Sequence, residues 1–496
     1  MKEQIKIGWG MRTIIPPRPC LIGGQMYTRI SMGVQDPITV TALTIDNGED
    51  MVIFATFDAV VCRGGLLDRV RDRLSARYPN MDVSKLVISA THSHTTPETL
   101  VEEDIEALIP DEAGDIMGAK ETSELVVDRI VEAISESYER RAAGGFAYGY
   151  GFATVAHSRR VIYSRDTGIG GSHDSLHSVN GYCQMYGNTN DADFLGYEAG
   201  TESFLNAVFT YGVDGKMTGI IVNVPCPAQC SEAKNVLSAD YWNEVRIAVK
   251  EKFGDVYVLP QCAAAGDLSP RLLHYNEAEK RRYKLKYGAD TELDMGRRRD
   301  IAERIVSGLA EIEVWAAKDI KTQAVLRHSV VNLQLQRRFI SEKQYEESLK
   351  GLEEAKQKIP KQNGEWYNDF KKKSLKIREI KRYKNIIESY KQQQSSKCEP
   401  MECHVIRLGD MAFATNRFEL FMDYEQRIQA RSPAEQTFIV QLAAVPGNSG
   451  GGYLPTHKGQ ENKGYSASIF DCIVDADGGQ TLVEQTLEEL NKLFSE

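Results

Sequence analysis

The sequence has no CxxC pair, no apolar leader and no hydrophobic run long enough to cross a membrane. Its nine cysteines are scattered and odd in number, which fits a reducing compartment better than a disulfide framework. The first residues lack the apolar stretch of a secretory signal. We therefore expect a cytoplasmic protein without a membrane span.

The sequence also has no excess of positively charged residues. Sixty Lys and Arg stand against 70 Asp and Glu, which gives a net charge of -10, so a general nucleic-acid binder is not expected. Hydrophobic residues make up 42% of the 496 positions, enough for a sizeable core. The expected partner is a small-molecule substrate, and the sequence leaves a homo-oligomer open.

Short apolar stretches alternate with amphipathic segments along most of the chain. Residues 51–57 and 86–90 have the composition of buried strands, and residues 66–78 between them have helical periodicity. Strand, helix and strand in this order predict that the two strands pair in parallel. Over the whole chain the pattern predicts an α/β fold with mixed, partly parallel sheets and flanking helices.

One long segment differs from the rest in composition. Residues 341–394 are rich in Lys, Glu and Gln, with apolar residues at helical spacing, which is typical of solvated helices. We interpret this segment as a charged helical insertion at 336–400, peripheral to the chemistry. It would divide one catalytic domain into residues 1–335 and 401–496.

Two histidines follow the strand predicted at 86–90. His92 and His94 are two residues apart, so in an extended backbone both imidazoles point to the same side. Such a pair binds a metal or places one ligand beside an acid/base. Asp58 ends the neighbouring strand and is either an acceptor for one of these histidines or a helix cap. Because open α/β sheets bind ligands at the carboxyl ends of their strands, we expect the site here.

Chemically capable residues follow other predicted strands. Asp267 and Ser269 come after residues 256–260, although Ser269 could equally be a helix N-cap before Pro270. Glu419 follows the strand predicted at 411–415. These side chains are expected at the same end of the sheet as the histidines.

With these pieces placed, the chain resembles the neutral/alkaline non-lysosomal ceramidase superfamily. Each of the similar segments is a weak signal alone, but five of them in the family's order are a strong one. They are Ala-Thr-His-Ser-His at 90–94, Arg159-Arg160, Ala-Gly-Asp-Leu-Ser-Pro at 265–270, Phe418-Glu419, and the tyrosines Tyr453 and Tyr465, twelve residues apart.

The resemblance implies a zinc-dependent amidohydrolase. His92, Glu419 and Tyr453 would bind zinc or another divalent metal. The family's second histidine ligand is missing, because residues 223–229 contain no histidine. Gln229 is the preferred replacement, and an oxygen ligand would make the site more tolerant of manganese or magnesium. Cys226, His94 and the loop histidines at 173 and 177 are the other candidates.

The resemblance also implies the catalytic roles. His94 and Tyr465 would bind the scissile group and its oxyanion. Arg160 would hold a substrate oxygen. Ser269, beside Asp267, would touch the scissile centre. Such donors stabilise the negative charge that develops during hydrolysis.

The substrate is expected to differ from that of the family. The sequence leaves no room after Tyr465 for the ceramidases' C-terminal immunoglobulin-like domain, so a soluble amide or ester is predicted rather than ceramide. One alternative is a glycoside- or lactone-cleaving hydrolase that uses Asp267 or Glu419 as acid/base. The other is a binding protein that kept the cleft without the metal.

Overall fold

Two stacked sheets form the centre of the molecule. The computed structural model describes residues 3–168, 181–358, 365–447 and 450–495. The larger sheet has eight strands, in the spatial order Tyr257–Cys262, Met217–Val224, Phe204–Gly212, Ala142–Phe152, Lys6–Thr13, Thr39–Asp46, Met51–Phe57 and Leu86–Ala90. The smaller sheet has four, in the order Leu326–Gln336, Cys398–Leu408, Met411–Thr415 and Gln436–Val440.

Helices cover the outer faces of both sheets. Those packed on the larger sheet and its neighbours are Leu66–Arg77, Ala119–Glu139, Tyr241–Phe253, Asn276–Tyr287 and Leu293–Ala316. Those on the smaller sheet are Met422–Arg431 and Ala476–Ser495. Further helices are Glu103–Glu106, Glu342–Gln357, Trp366–Gln392 and His457–Asn462, and short 3-10 turns occupy Val83–Lys85, Asp111–Ala113 and Ala317–Asp319.

Short strands complete the connections. They are Glu3–Gln4, Leu21–Ile22, Arg29–Ile30, His157–Ser158, Arg160–Tyr163, Cys183–Met185, Phe194–Tyr197, Leu268–Ser269, Gln323–Ala324, Glu419–Leu420 and Tyr453–Leu454. This architecture confirms the predicted α/β class with mixed sheets and flanking helices.

The strand Met51–Phe57 shows why the larger sheet is so apolar. Its alternate side chains divide between two cores: Phe54 packs between the sheets, where its ring lies 4.9 Å from that of Phe413. Ile53 and Phe57 point to the helices on the other face. A strand that is covered on both faces has no solvated side, so nearly every position is hydrophobic.

Parallel pairs form both edges of the larger sheet. Met51–Phe57 pairs in parallel with Leu86–Ala90, as the sequence predicted. At the opposite edge Met217–Val224 pairs in parallel with Tyr257–Cys262. Residues 441–444 join these edges: the N–H of Gln441 donates to the Cys262 carbonyl (3.1 Å), and Ala443 pairs with Ser89. The carboxyl ends of the two edge strands therefore meet.

In residues 336–358 and 365–400 the charged insertion contains two helices, Glu342–Gln357 and Trp366–Gln392. The predicted peripheral position is wrong for the second helix, because Phe370 and Ile386 are buried and Leu375 lines the central cavity. The domain boundaries at 335 and 400 remain a prediction.

No helix in the described ranges is long and apolar enough to cross a bilayer. All nine cysteines are free, and all but Cys398 are buried. The loop histidines at 173 and 177 lie outside the described residues.

Candidate functional site

The strand Leu86–Ala90 delivers two histidines to the junction of the sheets. His92 has a φ of 62°, a left-handed conformation that is costly for a residue with a side chain. Its Nδ1 lies 2.8 Å from the Val60 carbonyl oxygen and therefore carries the proton in that bond. In a neutral His92 the lone pair is on Nε2.

That lone pair faces other electron-rich atoms. His92 Nε2 lies 3.2 Å from Glu419 Oε2 and 3.3 Å from His94 Nε2. A lone pair and a carboxylate at this distance repel one another unless a proton or a cation lies between them. The arrangement fits a bound cation.

Glu419 and Tyr453 are held side by side by a short parallel pairing of their strands. Arg159 Nη2 donates to the Tyr453 hydroxyl (3.2 Å) and lies 3.6 Å from Glu419 Oε2. Burial opposes ionisation of Glu419, but the charges of His92 and Arg159 outweigh it and lower the pKa of this carboxyl. Burial and the nearby Glu419 raise the pKa of Tyr453, so without a metal it remains a phenol.

Gln229 approaches the pair from a different loop. Its Nε2 lies 2.7 Å from His94 Nε2, and its Oε1 is buried with no hydrogen-bond partner among the described residues. The two ends of an amide are assigned only from the hydrogen bonds they make, so a turned amide would offer its oxygen to this site. Burial, together with the positive charges of His92, Arg29 and Arg159, lowers the pKa of His94 well below its usual value and keeps it neutral.

A cavity of about 570 Å³ opens beside these residues. His94, Arg159, Gln229, Tyr453 and Tyr465 line it, and the rings of the two tyrosines lie 5.6 Å apart at 72°. Its other walls are Gly24, Gln25, Met26, Gln184, Met185, Tyr186, Glu232 and Leu375. The polar side chains in this lining could orient a compact substrate through hydrogen bonds.

The side chains around His92 determine whether a divalent metal could bind here. Within the described ranges, no group of three or more His, Cys, Asp and Glu side chains is arranged to hold a metal ion. A metal here would therefore need the Tyr453 hydroxyl and the free Gln229 oxygen besides His92 and Glu419. Nitrogen and oxygen donors of these kinds suit zinc and related ions.

Comparison with known proteins identifies solved structures that share this fold. No protein-family model and no curated protein matches the sequence. Among solved structures, a ceramidase complexed with C2 matches with a TM-score of 0.64 at 12% identity, over 99% of this chain and 76% of the other. The neutral ceramidase from Pseudomonas aeruginosa matches with a TM-score of 0.64 at 14% identity, over 99% and 75%. This chain has the neutral ceramidase fold.

On this ceramidase-like fold, six of the nine predicted site residues come together. They are His92, His94, Gln229, Glu419, Tyr453 and Tyr465. The other three, Arg160, Asp267 and Ser269, lie behind the cavity wall.

Arg160 is fully buried in an ion pair with Glu198. Its Nη1 donates to the Tyr465 carbonyl (2.7 Å) and its Nη2 to the Lys463 carbonyl (2.6 Å). In this position Arg160 holds the segment that carries Tyr465. The neighbouring Arg159 lines the cavity instead.

Asp267 and Ser269 are also fully buried. Asp267 Oδ1 accepts the N–H of Met422 at 3.0 Å, and burial raises the pKa of Asp267 to about 6 in spite of that bond. Ser269 Oγ accepts a long bond from the hydroxyl of Tyr186 (3.4 Å), a residue of the cavity wall. Ser269 therefore lies one side chain away from the cavity.

The contacts of Asp58 and Cys226 decide two questions that the sequence left open. Asp58 is neither a histidine acceptor nor a helix cap, because its carboxylate binds the guanidinium of Arg246 at 3.0 and 3.1 Å. Cys226 points away from the cavity, with its thiol 3.3 Å from the Val155 carbonyl. Of the described candidates for the missing ligand, Gln229 and His94 therefore remain.

Sequence reasoning assigned the substrate contact of the arginine pair to Arg160 rather than Arg159, and it did not identify Tyr186, Glu232 or the turn at residues 24–26 as parts of the wall. Glu232 Oε2 lies 3.6 Å from His94 Nδ1. Gly24 has a φ of 93° and packs on His94, where a Cβ would lie 2.8 Å from its Cα. The consecutive glycines at 23 and 24 were the available signal for this close approach.

Proposed function

We propose that this protein is a metal-dependent hydrolase that cleaves an amide or ester bond in a small soluble substrate. One observation carries the proposal: His92 Nε2 faces the Glu419 carboxylate at 3.2 Å, beside Tyr453 and at the edge of a cavity. The reaction type is suggested by the solved ceramidases that share the fold.

The metal would be held by His92, Glu419 and Tyr453, with Gln229 as a further oxygen ligand. When bound, a divalent metal polarises a carbonyl group and lowers the pKa of a coordinated water to near 7. Because one imidazole of the family pattern is replaced by an amide, we expect loose binding and tolerance of several divalent ions.

The remaining residues would act on the substrate. Tyr465 and Arg159 line the cavity as hydrogen-bond donors and would stabilise the oxygen of the scissile carbonyl as it gains negative charge. His94, which is neutral, would take a proton from the attacking water while the water oxygen bonds to the carbonyl carbon. When the bond to the leaving nitrogen or oxygen breaks, His94 would return that proton to the leaving group.

We assign positioning roles to the three buried residues. Arg160 would fix the segment of Tyr465, Ser269 would support Tyr186, and Asp267 would tie its loop to Met422. The glycoside- or lactone-cleaving alternative needs a carboxylic acid that touches the substrate. Asp267 lies outside the cavity lining, and Glu419 faces His92 at 3.2 Å, so we favour amide or ester cleavage.

Elemental analysis and chelator treatment of purified variants test the metal assignment. His92→Ala and Glu419→Ala should lose the metal that the wild type carries, and Gln229→Ala should release it faster. His457→Ala is the matched control, because His457 is 66% exposed. Unchanged metal content in the first two variants would contradict the assignment.

Turnover tests the reaction. A panel of soluble amides and esters should be hydrolysed by the wild type, with loss on chelation and recovery on addition of zinc or manganese. Tyr465→Phe should lower kcat by about 10²–10³-fold with little change in metal content, since it removes one oxyanion donor. Hydrolysis that survives complete metal removal would overturn the proposal.

A further inference from the structure

A second cavity, of about 310 Å³, adjoins the first. The two share His94, Tyr453 and Tyr465 in their walls, and His92 and Glu419 also line the second. Any group bound in this space would lie directly beside the proposed reaction centre.

Basic side chains dominate the far wall of the second cavity, which we name the basic chamber. Its cationic lining residues are Arg63, Arg378, Lys381 and Arg382. In a chain of net charge -10, such a concave positive surface attracts anions selectively. Three of the four residues belong to the helix Trp366–Gln392 of the charged insertion.

Acidic partners do not balance this charge completely. Arg63 and Arg378 contact Glu98, Arg378 and Lys381 contact Glu102, and Arg382 contacts Asp471. Four cations thus share three carboxylates. The remaining carboxylate of the lining, Glu419, lies 3.6 Å from a fifth cation, Arg159, so one positive charge is in excess.

Arg382 keeps unused hydrogen-bond donors in a buried position. Its Nη2 donates to Asp471 (2.9 Å), whereas its Nη1 has only the Met26 sulfur at 3.9 Å. Its Nε has no hydrogen-bond partner among the described residues, although the side chain is only 11% exposed. Unused donors on a buried guanidinium are costly, and a planar oxyanion satisfies two of them at once.

We propose that the basic chamber binds a carboxylate of the substrate, so that the enzyme acts on anionic amides or esters. The excess of one positive charge matches a monoanion. This inference depends on the proposed hydrolase function for its meaning as substrate recognition, but the binding of carboxylates can be tested without turnover.

The probes are N-acetylglycine, N-acetyl-β-alanine and N-acetyl-γ-aminobutyrate, each paired with its neutral carboxamide. Calorimetry on the metal-loaded protein should show at least one carboxylate bound about 10–100-fold more tightly than its carboxamide, the gain typical of a charged hydrogen bond. The preference should decrease with added salt. The chain length with the largest preference gives the reach from the reaction centre to the chamber.

Variants then identify the chamber. Arg382→Gln should abolish the preference, and Arg382→Lys should keep only part of it, because an ammonium group retains the charge without the planar pair of donors. The matched control is Lys372→Gln, which removes one charge from an exposed position of the same helix. Circular dichroism checks folding, and if Arg382→Gln fails to fold, Arg63→Gln provides the same test.

The outcomes are separable from those of the hydrolase proposal. A carboxylate preference that is lost in Arg382→Gln supports the chamber even if no probe is hydrolysed, in which case the hydrolase proposal fails alone. Equal binding of carboxylates and carboxamides at every chain length overturns the chamber. A preference that persists in both Arg382→Gln and Arg63→Gln overturns it as well.

Discussion

Arg159 and Arg160 are adjacent in the sequence and have opposite environments. In an extended segment successive side chains point to opposite sides, so only one of the two can face the cavity. Arg159 contacts Tyr453 and the Gly266 carbonyl (2.7 Å), while Arg160 pairs with Glu198. The pair therefore separates a substrate-facing role from a structural one.

Matched substitutions should separate these roles. Arg160→Gln leaves the Glu198 carboxylate buried without its partner, so the free energy of unfolding should fall by about 3–5 kcal/mol. Arg159→Gln should mainly lower kcat against the soluble amide or ester panel. Urea unfolding and steady-state kinetics measure the two effects.

The double variant Arg160→Gln with Glu198→Gln is the control for the ion pair, and it should recover part of the lost stability. A stability loss of the same size in Arg159→Gln and Arg160→Gln, with equal effects on kcat, would contradict the division of roles.

At this scale the sequence predicts the histidine pair but not its backbone: His92 is left-handed rather than extended, and the two imidazoles still meet at 3.3 Å. It assigned the substrate contact to Arg160, whereas Arg159 lines the cavity, since a shift of one residue reverses the answer. Nor did it predict the partner of Asp58, because Arg246 is 188 residues away along the chain.

Among the elements, the helix Met422–Arg431 holds the loop of Asp267 through a buried carboxyl. Glu425 Oε2 accepts the N–H of Ala264 at 2.6 Å, and Gln429 Nε2 donates to its other oxygen at 3.0 Å. Burial raises the pKa of Glu425 from 4.5 to about 8. The folded protein therefore keeps a proton that the unfolded chain releases.

This difference in protonation makes the folded protein less stable as the pH rises. The stability contributed by the Glu425 proton is complete below about pH 4.5 and is lost as the pH rises through about 8. Between pH 5 and pH 8 the wild type should lose on the order of 3 kcal/mol from this group. Glu425→Gln should remove that part of the slope in urea unfolding. Glu461→Gln, at an exposed position, should leave the slope unchanged; a wild-type slope in Glu425→Gln would refute the assignment.

The helix Trp366–Gln392 contacts and positions the turn at residues 24–26, which lines the cavity. Ser374 Oγ accepts the N–H of Thr28 (2.9 Å), and Arg378 Nη1 donates to the Gln25 carbonyl (2.7 Å). Phe370 is 2% exposed, in a cluster with Leu21 and Ile30. Deletion of the insertion would expose this cluster and release one wall of the cavity.

We therefore expect Phe370→Ala to destabilise the protein by about 3–5 kcal/mol and to weaken substrate binding. Leu349→Ala, at a position 40% exposed on the first helix of the insertion, should have little effect. Chemical unfolding and KM measurements check both. If Phe370→Ala changed neither the stability nor KM, the insertion would be peripheral, as the sequence predicted.

Element by element, the sequence predicts the strands and long helices closely because their apolar patterns are local. The strand Met51–Phe57 and the helix Leu66–Arg77 lie within a residue of their predicted bounds. The helix Asn276–Tyr287 was missed because its pattern is weak: only Glu279 and Tyr283 are buried. The buried contacts of Trp366–Gln392 could not be predicted from the sequence. Charged residues that form buried ion pairs have the same composition as charged residues on a solvated helix face.

At the scale of the whole molecule, the site is assembled from both ends of the chain. His92 comes from the first part and Glu419 from the last, and residues 441–444 join the edges of the larger sheet. The core between the sheets is shared in the same way, as the contact of Phe54 with Phe413 shows. Neither part closes this core alone.

We expect the molecule to unfold in one cooperative transition. Far-ultraviolet circular dichroism reports all helices, and tryptophan fluorescence reports the four tryptophans. One of them, Trp9, is buried between the sheets and stacked on Tyr257 at 5.4 Å. The two midpoints should coincide, and Phe413→Ala should lower both together. Phe339→Ala, at a position 74% exposed, is the control. Because a divalent metal held by His92 and Glu419 would bind only the folded protein, saturating zinc should raise both midpoints by the same amount. Separate midpoints, or a shift of only one, would mean that the two parts of the chain are independent folding units and that the site lies at an interface able to open.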